Sequence, residues 1–402
     1  MVEFLNNILD VTGFAFVDWG TVLMWVISGA LLYMGIFKQY EPLLLVPIGF
    51  GVLLANLPGA GLAVVEGSMV LNPDGSLMNL PEIASKYGIL NFLYYSLIKS
   101  GLLPPIIFMG VGALTDFGPM LRNLKLSLFG GAAQIGIFTV VILAVLMGYT
   151  LPEAASMGII GGADGPTAIY TTIKLAPHLL GPIAIAAYSY MAMVPIIIPA
   201  VAKLLMTKDE FKIHMKKQDK LYPPKYEIKH LRTVKILFPI VLTLVVAVLV
   251  PSAAPLVGML MLGNLLKEIG PNTARLADAA SGPIMNTATV FLGVCVGATM
   301  PAEVFLRLET IGILVLGLFA FAISIAGGIL GVKLYNKGSK KKINPLVGAT
   351  GLSAVPMASR VANELALKYD KSNHILQYCM SSNVSGVIGS AVAAGVLIAF
   401  LS

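Results

Sequence analysis

The chain has 402 residues and a formal net charge of +7, with 57% hydrophobic and only 12% charged residues. An average soluble protein is about a quarter charged, and the mean hydropathy here is +0.86, so a soluble enzyme is excluded. The apolar runs are continuous over helix-spanning lengths instead of alternating, which also excludes an outer-membrane β-barrel. The composition predicts an all-α polytopic membrane protein.

Apolar segments follow one another along the chain, and several of them are short or interrupted by glycine. Their lengths predict membrane helices near residues 16–36, 42–64, 104–120, 128–148, 155–173, 183–205, 236–251, 253–266, 284–299, 309–333, 344–360 and 375–401. A basic linker at 206–235 separates a first membrane half, 1–205, from a second, 236–402. Lysine and arginine cluster in this linker and in the run 337–342, which predicts that both are cytoplasmic and that no nucleic acid is bound.

The two halves carry similar motifs at similar spacing, which predicts an internal repeat. The segment Gly161–Thr167 resembles Val347–Ser353 and pairs Asp164 with Thr350, and Val111-Gly112-Ala113 resembles Val296-Gly297-Ala298. The alternative is chance similarity among glycine-rich apolar segments.

Charge distribution indicates how the two motif-bearing segments enter the membrane. If 155–173 and 344–360 both crossed fully, the basic turn from Arg122 to Lys125 would face outside, against the charge rule. Treating both as re-entrant or broken helical hairpins places the basic loops inside and makes the halves inverted. The first hairpin then enters from outside and the second from the cytoplasm, and they meet near mid-membrane. The acidic loop 66–86 is then external.

Asp164 is the first candidate site residue because it lies in Gly-Gly-Ala-Asp-Gly-Pro within an apolar segment. A carboxylate there costs about 2.5–3.5 kcal/mol on insertion scales, which a sodium ion compensates if exposed carbonyls and hydroxyls complete an oxygen shell. The alternative is that Asp164 caps the following half-helix, whose first turn suits Pro166. The two roles are compatible.

The second motif runs from Asn344 to Arg360 and predicts a helix break at Thr350-Gly351. Such a break puts Asn344 and Gly348 on one half-helix, and Ser353 and Arg360 on a shared face of the other. An arginine there suits a carboxylate, which it grips with two parallel hydrogen bonds, although snorkelling to the cytoplasmic surface is the alternative.

Polar residues also occupy the segments that follow the two hairpins. Tyr188 and Tyr190 lie in the first, and Asn383, Ser381, Ser382 and Ser385 lie in the second. Matched positions indicate a shared site, whereas interfacial anchoring or helix contact is the other interpretation for the tyrosines.

At these motifs the sequence resembles the membrane β subunit of the biotin-dependent sodium-pumping decarboxylases, which include oxaloacetate, methylmalonyl-CoA, glutaconyl-CoA and malonate decarboxylases. The resemblance covers essentially the whole chain and is most specific at 161–167, 344–348 with Ser353 and Arg360, and 383–390. It implies a subunit that decarboxylates carboxybiotin, consumes a proton and exports sodium. It also implies roles for single residues: Asp164 in sodium linkage, Tyr190 in ion or proton handling, and Asn344, Gly348, Ser353, Arg360 and Asn383 as polar positions of the site.

These roles translate into a predicted site. The catalytic residues are Arg360, Tyr190 and Asp164; Arg360 and Ser353 bind carboxybiotin; and Asp164, Asn344, Gly348, Ser353 and Asn383 bind sodium. The chain lacks the Ala-Met-Lys-Met-like turn that accepts biotin, so the biotin must arrive on another subunit.

The resemblance further implies partners and a location. We expect a biotin carrier, a carboxyltransferase and a small membrane subunit as partners, in the cytoplasmic membrane of a bacterium or archaeon. We also expect a homo-oligomer, for which a trimer is one arrangement. An elevator-like core moving against a scaffold is expected by analogy with other transporters. The rival function is a sodium-coupled transporter of a small carboxylate.

Overall fold

The computed structural model describes residues 12–39, 41–72, 76–223, 228 and 230–402. Part of the predicted external loop and the linker residues Lys225 and Lys229 lie outside the described residues. The described chain is almost entirely helical, with one isolated β-bridge between Leu71 and Leu77. The predicted all-α class is confirmed.

The first half contains eleven α-helices within the described residues. They are α1 (Trp19–Ile36), α2 (Pro42–Ala55), α3 (Leu80–Leu93), α4 (Leu103–Leu114), α5 (Gly118–Arg122), α6 (Leu124–Ala133), α7 (Ile135–Leu146), α8 (Leu151–Gly158), α9 (Gly165–Leu175), α10 (Leu180–Ala192) and α11 (Val194–Leu205). Short 3-10 or π turns at 13–16, 67–70, 94–98, 159–162 and 177–179 complete this half.

The linker and the second half contain another eleven α-helices within the described residues. Their helices are α12 (Lys208–Phe211), α13 (Met215–Leu221), α14 (Leu231–Leu249), α15 (Ala254–Ile269), α16 (Ala274–Ala279), α17 (Met285–Ala298), α18 (Ala302–Phe305), α19 (Leu308–Gly338), α20 (Leu346–Ala349), α21 (Met357–Tyr369) and α22 (Leu376–Leu401). A 3-10 turn at 251–253 precedes α15, and a π turn at 280–284 joins α16 to α17.

Helices of membrane-spanning length confirm the polytopic prediction. In the described ranges six helices are long and apolar enough to cross a membrane, and two further pairs qualify if each bent pair is one span. The bent pairs are α3 with α4, at 66°, and α10 with α11, at 68°. The chain is therefore a multi-pass membrane protein.

Two short broken hairpins pack against the long helix α19. We call α8 with α9 the first hairpin, and α20 with α21 the second. Tyr149, just before the first hairpin, lies against Gly312 near the start of α19. Asn336, near the end of α19, exchanges hydrogen bonds of 2.7 and 2.8 Å with Ile343, just before the second hairpin. At 1.5 Å per residue these contacts are about 36 Å apart along α19, so the hairpins start from opposite ends of one helix.

The apolar interior divides around the hairpins. One large cluster includes both hairpins together with α6, α7, α10, α11, α19 and part of α22. Helices α1 to α4 and α17 pack mainly in a second cluster, which also includes Ile169 and Ile173 of α9. Helix α15 lies in a third cluster, to which α9 contributes Tyr170. Each membrane half contributes residues to all three clusters, so the halves are interleaved in space.

Glycines allow close crossings outside the hairpin cluster. In the crossing of α2 with α17, a Cβ at Gly51 would overlap the Val294 carbonyl oxygen. In the crossing of α4 with α15, a Cβ at Gly112 would overlap the carbonyl oxygen of Leu260. Gly297 and Gly112, which the repeat prediction matches, thus each lie in a close helix crossing, where a Cβ would overlap a backbone carbonyl oxygen of the facing helix. Inverted-repeat symmetry itself stays a prediction.

Candidate functional site

The first hairpin breaks where its glycines and Pro166 predict. The chain leaves the 3-10 turn through Ala163, whose φ of 54° lies in the left-handed region. Asp164 then caps α9, and its Oδ1 accepts a hydrogen bond of 3.2 Å from the Thr167 amide. The capping role predicted as an alternative is therefore present, and it leaves Oδ2 free to meet other groups.

The second hairpin breaks after α20, as predicted at Thr350-Gly351. Its connecting segment reaches the first hairpin directly: the Ser353 amide donates to the Gly162 carbonyl at 2.9 Å, and the Ser353 hydroxyl donates to Asp164 Oδ2 at 2.7 Å. The tips of the two hairpins thus meet at Asp164, whereas Thr350, its repeat partner, bonds to the Val347 and Cys379 carbonyls.

A third element, α22, completes this site with a residue that sequence reasoning missed. The Ser390 hydroxyl lies 2.9 Å from Asp164 Oδ2 and 3.0 Å from the Val387 carbonyl, so it has two acceptors for one proton. Ser390 ends the motif 383–390 quoted for the resemblance, but no local signal in the sequence separates it from the other serines of α22.

Asp164 is buried, with 4% of its surface exposed. Its hydrogen-bond donors are two hydroxyls and one amide, and no lysine, arginine or histidine of the described chain forms an ion pair with it. A buried carboxylate needs a compensating cation or a proton. The described residues contain no group of three His, Cys, Asp or Glu side chains that could hold a metal, whereas hydroxyl, carbonyl and carboxylate oxygens are ligands that hard cations take.

Asn383 holds the tip of the second hairpin together. Its Nδ2 donates to the Leu352 carbonyl, and its Oδ1 accepts a 3.0 Å hydrogen bond from the Ser359 hydroxyl. Because Leu352 precedes Ser353 and Ser359 precedes Arg360, Asn383 positions both neighbours. The Arg360 side chain is exposed, and no described carboxylate pairs with it.

Gly348 lies in α20, as predicted, but Asn344 lies two residues before that helix begins, and neither residue contacts Asp164. The Asn344 amide donates to the carbonyls of Phe211 and Ile213, at 3.0 and 3.1 Å, and so ties the second hairpin to the linker. A Cβ at Gly348 would overlap the Gly328 carbonyl oxygen on α19. In the structure Asn344 anchors the second hairpin and Gly348 allows close packing against α19. Their assignment as sodium ligands stays a prediction.

The two tyrosines of α10 differ in their surroundings. The Tyr190 hydroxyl donates to the Leu314 carbonyl on α19. Tyr188 is 1% exposed, its ring packs against Gly165 next to Asp164, and its hydroxyl has no hydrogen-bond partner in the described chain. Tyr188, for which the sequence predicts no role, therefore packs against the residue that follows Asp164. The role of Tyr190 in ion or proton handling stays a prediction.

The geometry defines a multi-pass membrane protein in which two broken hairpins meet around one buried carboxylate. A family model described as "Na+-transporting oxaloacetate decarboxylase beta subunit" matches residues 20–401. The chain belongs to this family of sodium-transporting decarboxylase β subunits, and it is a component of a decarboxylase. The predicted family is confirmed.

Full-length relatives carry the names of several decarboxylases. The chain is 48% identical to the methylmalonyl-CoA decarboxylase subunit beta of Propionigenium modestum, over 99% of both chains. It is 45% identical to the oxaloacetate decarboxylase beta chain 2 of Salmonella typhimurium, over 100% of this chain and 99% of the relative. For the glutaconyl-CoA decarboxylase subunit beta of Acidaminococcus fermentans the values are 46%, 99% and 97%. The identities to relatives named for three different substrates are nearly equal, so they do not indicate which substrate the complex of this chain decarboxylates.

Proposed function

We propose that this subunit decarboxylates carboxybiotin carried by a partner subunit and couples the reaction to sodium export with consumption of a proton. The observation that carries the proposal is the junction at Asp164, where both hairpin tips and α22 converge on one carboxylate. Family membership supports the sodium-transporting decarboxylase activity.

Sodium is the cargo that suits the junction. Asp164 supplies the negative charge, and the hydroxyls of Ser353 and Ser390 supply neutral oxygens within 3 Å of it. When the Ser390 hydroxyl donates to the Val387 carbonyl instead, its oxygen can face a cation. Asp164 Oδ2 then accepts only the Ser353 hydroxyl and keeps a lone pair for the same cation. Broken helices that expose carbonyls and hydroxyls bind sodium in other transporters.

Competition at Asp164 couples sodium to the proton. Decarboxylation breaks the bond between the biotin nitrogen and the carboxylate carbon, releases CO2 and leaves a nitrogen that takes up one proton. A proton that enters from the outside neutralises Asp164, and sodium then leaves to the outside. The same proton passes on to the biotin nitrogen, which restores the Asp164 carboxylate for the next sodium ion. We assign proton handling to Tyr190 as a prediction from the resemblance, with Asp164 as the exchange point.

An elevator-like movement is part of this proposal by analogy with other transporters. The cluster that contains both hairpins is the moving core in this proposal, and the glycine crossings of α2 with α17 and of α4 with α15 belong to the scaffold. A fixed scaffold is the reason to expect a homo-oligomer.

The relatives support partner subunits because their names describe them as β subunits or β chains. We assign a biotin carrier and a carboxyltransferase to the cytoplasmic side, where this proposal places the linker. A small membrane subunit is the third partner. The membrane is then the cytoplasmic membrane of the cell.

Sealed vesicles that contain the purified complex test the function. Adding carboxybiotin outside inverted vesicles should drive radioactive sodium inward only while CO2 is released, and a sodium ionophore should abolish accumulation without stopping CO2 release. Sodium-driven uptake of a small carboxylate without CO2 release would contradict the proposal and favour a secondary transporter.

Arg360 is assigned to the carboxylate of carboxybiotin because its guanidinium is exposed and unpaired within the described chain. Arg360→Lys keeps the charge but loses the two-pronged donor, so apparent affinity for carboxybiotin should weaken by about 1.5–3 kcal/mol. The measurement is decarboxylation against carboxybiotin concentration at saturating sodium. Equal kinetics in the lysine variant would indicate snorkelling, and loss of sodium binding would move Arg360 to the ion pathway.

A further inference from the structure

We propose that the side-chain carbonyl of Gln134 is a ligand of the sodium ion at Asp164 and sets the affinity of the site. This inference rests on the proposed function, because it assigns a further residue to the same ion site. Gln134 lies at the junction of α6 and α7, where no sequence motif marks it.

The orientation of the Gln134 amide is determined by its surroundings. Its Nε2 donates to the Gly130 carbonyl at 3.0 Å and lies 3.5 Å from the Gly386 carbonyl. Two carbonyl oxygens on that side require the nitrogen there, so the side-chain oxygen must point the other way. The residue is 7% exposed, and Oε1 has no hydrogen-bond partner in the described chain.

The unpartnered oxygen points toward the hairpin junction. It lies 3.8 Å from the position that a Cβ at Gly162 would take, and that position is 2.9 Å from the Cβ of Ser390. Gly162 accepts the amide hydrogen bond of Ser353, and Ser390 bonds to Asp164. Gln134 Oε1 therefore lies next to Gly162, which itself packs against Ser390 at the hairpin junction.

A buried carbonyl without a donor costs free energy, and such groups in folded proteins call for an explanation. A cation satisfies an acceptor that no N–H or O–H reaches. The Thr167 hydroxyl is a second buried oxygen without a partner in the described chain, and its own amide bonds to Asp164. With Asp164, Ser353 and Ser390, these two oxygens provide the kind of oxygen shell that a hard cation takes.

The test separates the oxygen of Gln134 from its amide donor. Gln134→Met keeps the length of the side chain and removes both the carbonyl oxygen and the N–H donor. Gln134→Glu keeps an oxygen at the position of Oε1 but loses the N–H donor. We expect the sodium concentration for half-maximal decarboxylation to rise about tenfold or more in the methionine variant, and to stay equal or fall in the glutamate variant. Equilibrium binding of radioactive sodium to the purified complex should change in the same order.

Asn264 provides a matched control. It is a buried amide on α15 whose Nδ2 donates to the Thr115 carbonyl at 2.9 Å and whose Oδ1 has no partner in the described part of the chain. Asn264→Leu should leave sodium dependence within about twofold of the wild type, since the residue lies in the crossing of α4 with α15. If loss of a buried amide simply damages the fold, Asn264→Leu and Gln134→Met will behave alike.

The inference is overturned if Gln134→Met keeps wild-type sodium affinity, or if Gln134→Glu is as weak as Gln134→Met. The second result would show that the donor to Gly130 and Gly386 matters instead. Sodium binding that survives in an Asp164→Asn complex would instead contradict the proposed function, so the two failures are distinguishable.

Discussion

Replacing Asp164 with asparagine should abolish sodium-dependent decarboxylation of carboxybiotin by the purified complex while assembly survives. Asparagine has nearly the same shape and keeps an oxygen that can accept the Thr167 amide, so the hairpin tip should remain in place. What disappears is the charge. At 4 Å and an effective dielectric constant of 20, the attraction between two unit charges is about 4 kcal/mol, which corresponds to about a thousandfold in sodium affinity.

Asp116→Asn is the matched control for this experiment. Asp116 lies between α4 and α5, and its carboxylate pairs with Lys235 at 2.8 Å, away from the hairpin tips. Both variants lose one negative charge, but only Asp164→Asn should change the sodium dependence of the rate and the equilibrium binding of sodium. Normal sodium stimulation in the Asp164 variant would remove Asp164 from the ion site.

Gly112→Ala should strongly destabilise the membrane domain because the added methyl group overlaps the Leu260 carbonyl oxygen at the crossing of α4 with α15. Backbone atoms cannot move aside as a flexible side chain can, so the two helices must separate. Overpacking of this kind costs about 1–3 kcal/mol and sometimes more. The measurement is the free energy of unfolding in detergent micelles, followed by circular dichroism or by the accessibility of the buried cysteines.

Gly29→Ala controls for the general effect of replacing a helical glycine. Gly29 lies on an exposed face of α1, and no atom outside its own turn lies within 4 Å of where its Cβ would be. Alanine is favoured over glycine in a helix interior by about 1 kcal/mol, so this variant should be as stable as the wild type or more stable. If Gly112→Ala and Gly29→Ala have equal free energies of unfolding, the close crossing of α4 with α15 is contradicted.

Local features of the sequence determined the membrane class, the helix content and the positions of both breaks. Continuous apolar runs give spanning helices because lipid offers no partner to unpaired backbone groups. The breaks follow from residues that act within a few positions of themselves: Asp164 caps the half-helix that starts beside it, and Pro166 occupies its first turn. Asp164 was also identifiable as a site residue from sequence, since a carboxylate inside an apolar segment needs a special reason.

Only the tertiary structure decided which residues surround that carboxylate. Ser353 and Ser390 reach Asp164 from 189 and 226 residues away along the chain. Gln134, at the junction of α6 and α7, lies next to Gly162 of the first hairpin with no motif around it. The repeat paired Thr350 with Asp164, but packing brings Ser353 to the carboxylate and directs Thr350 to backbone carbonyls of its own region. Spacing along a chain constrains neighbours within one helix, whereas contacts between helices depend on crossings such as those at Gly51 and Gly112, whose geometry only the folded structure specifies.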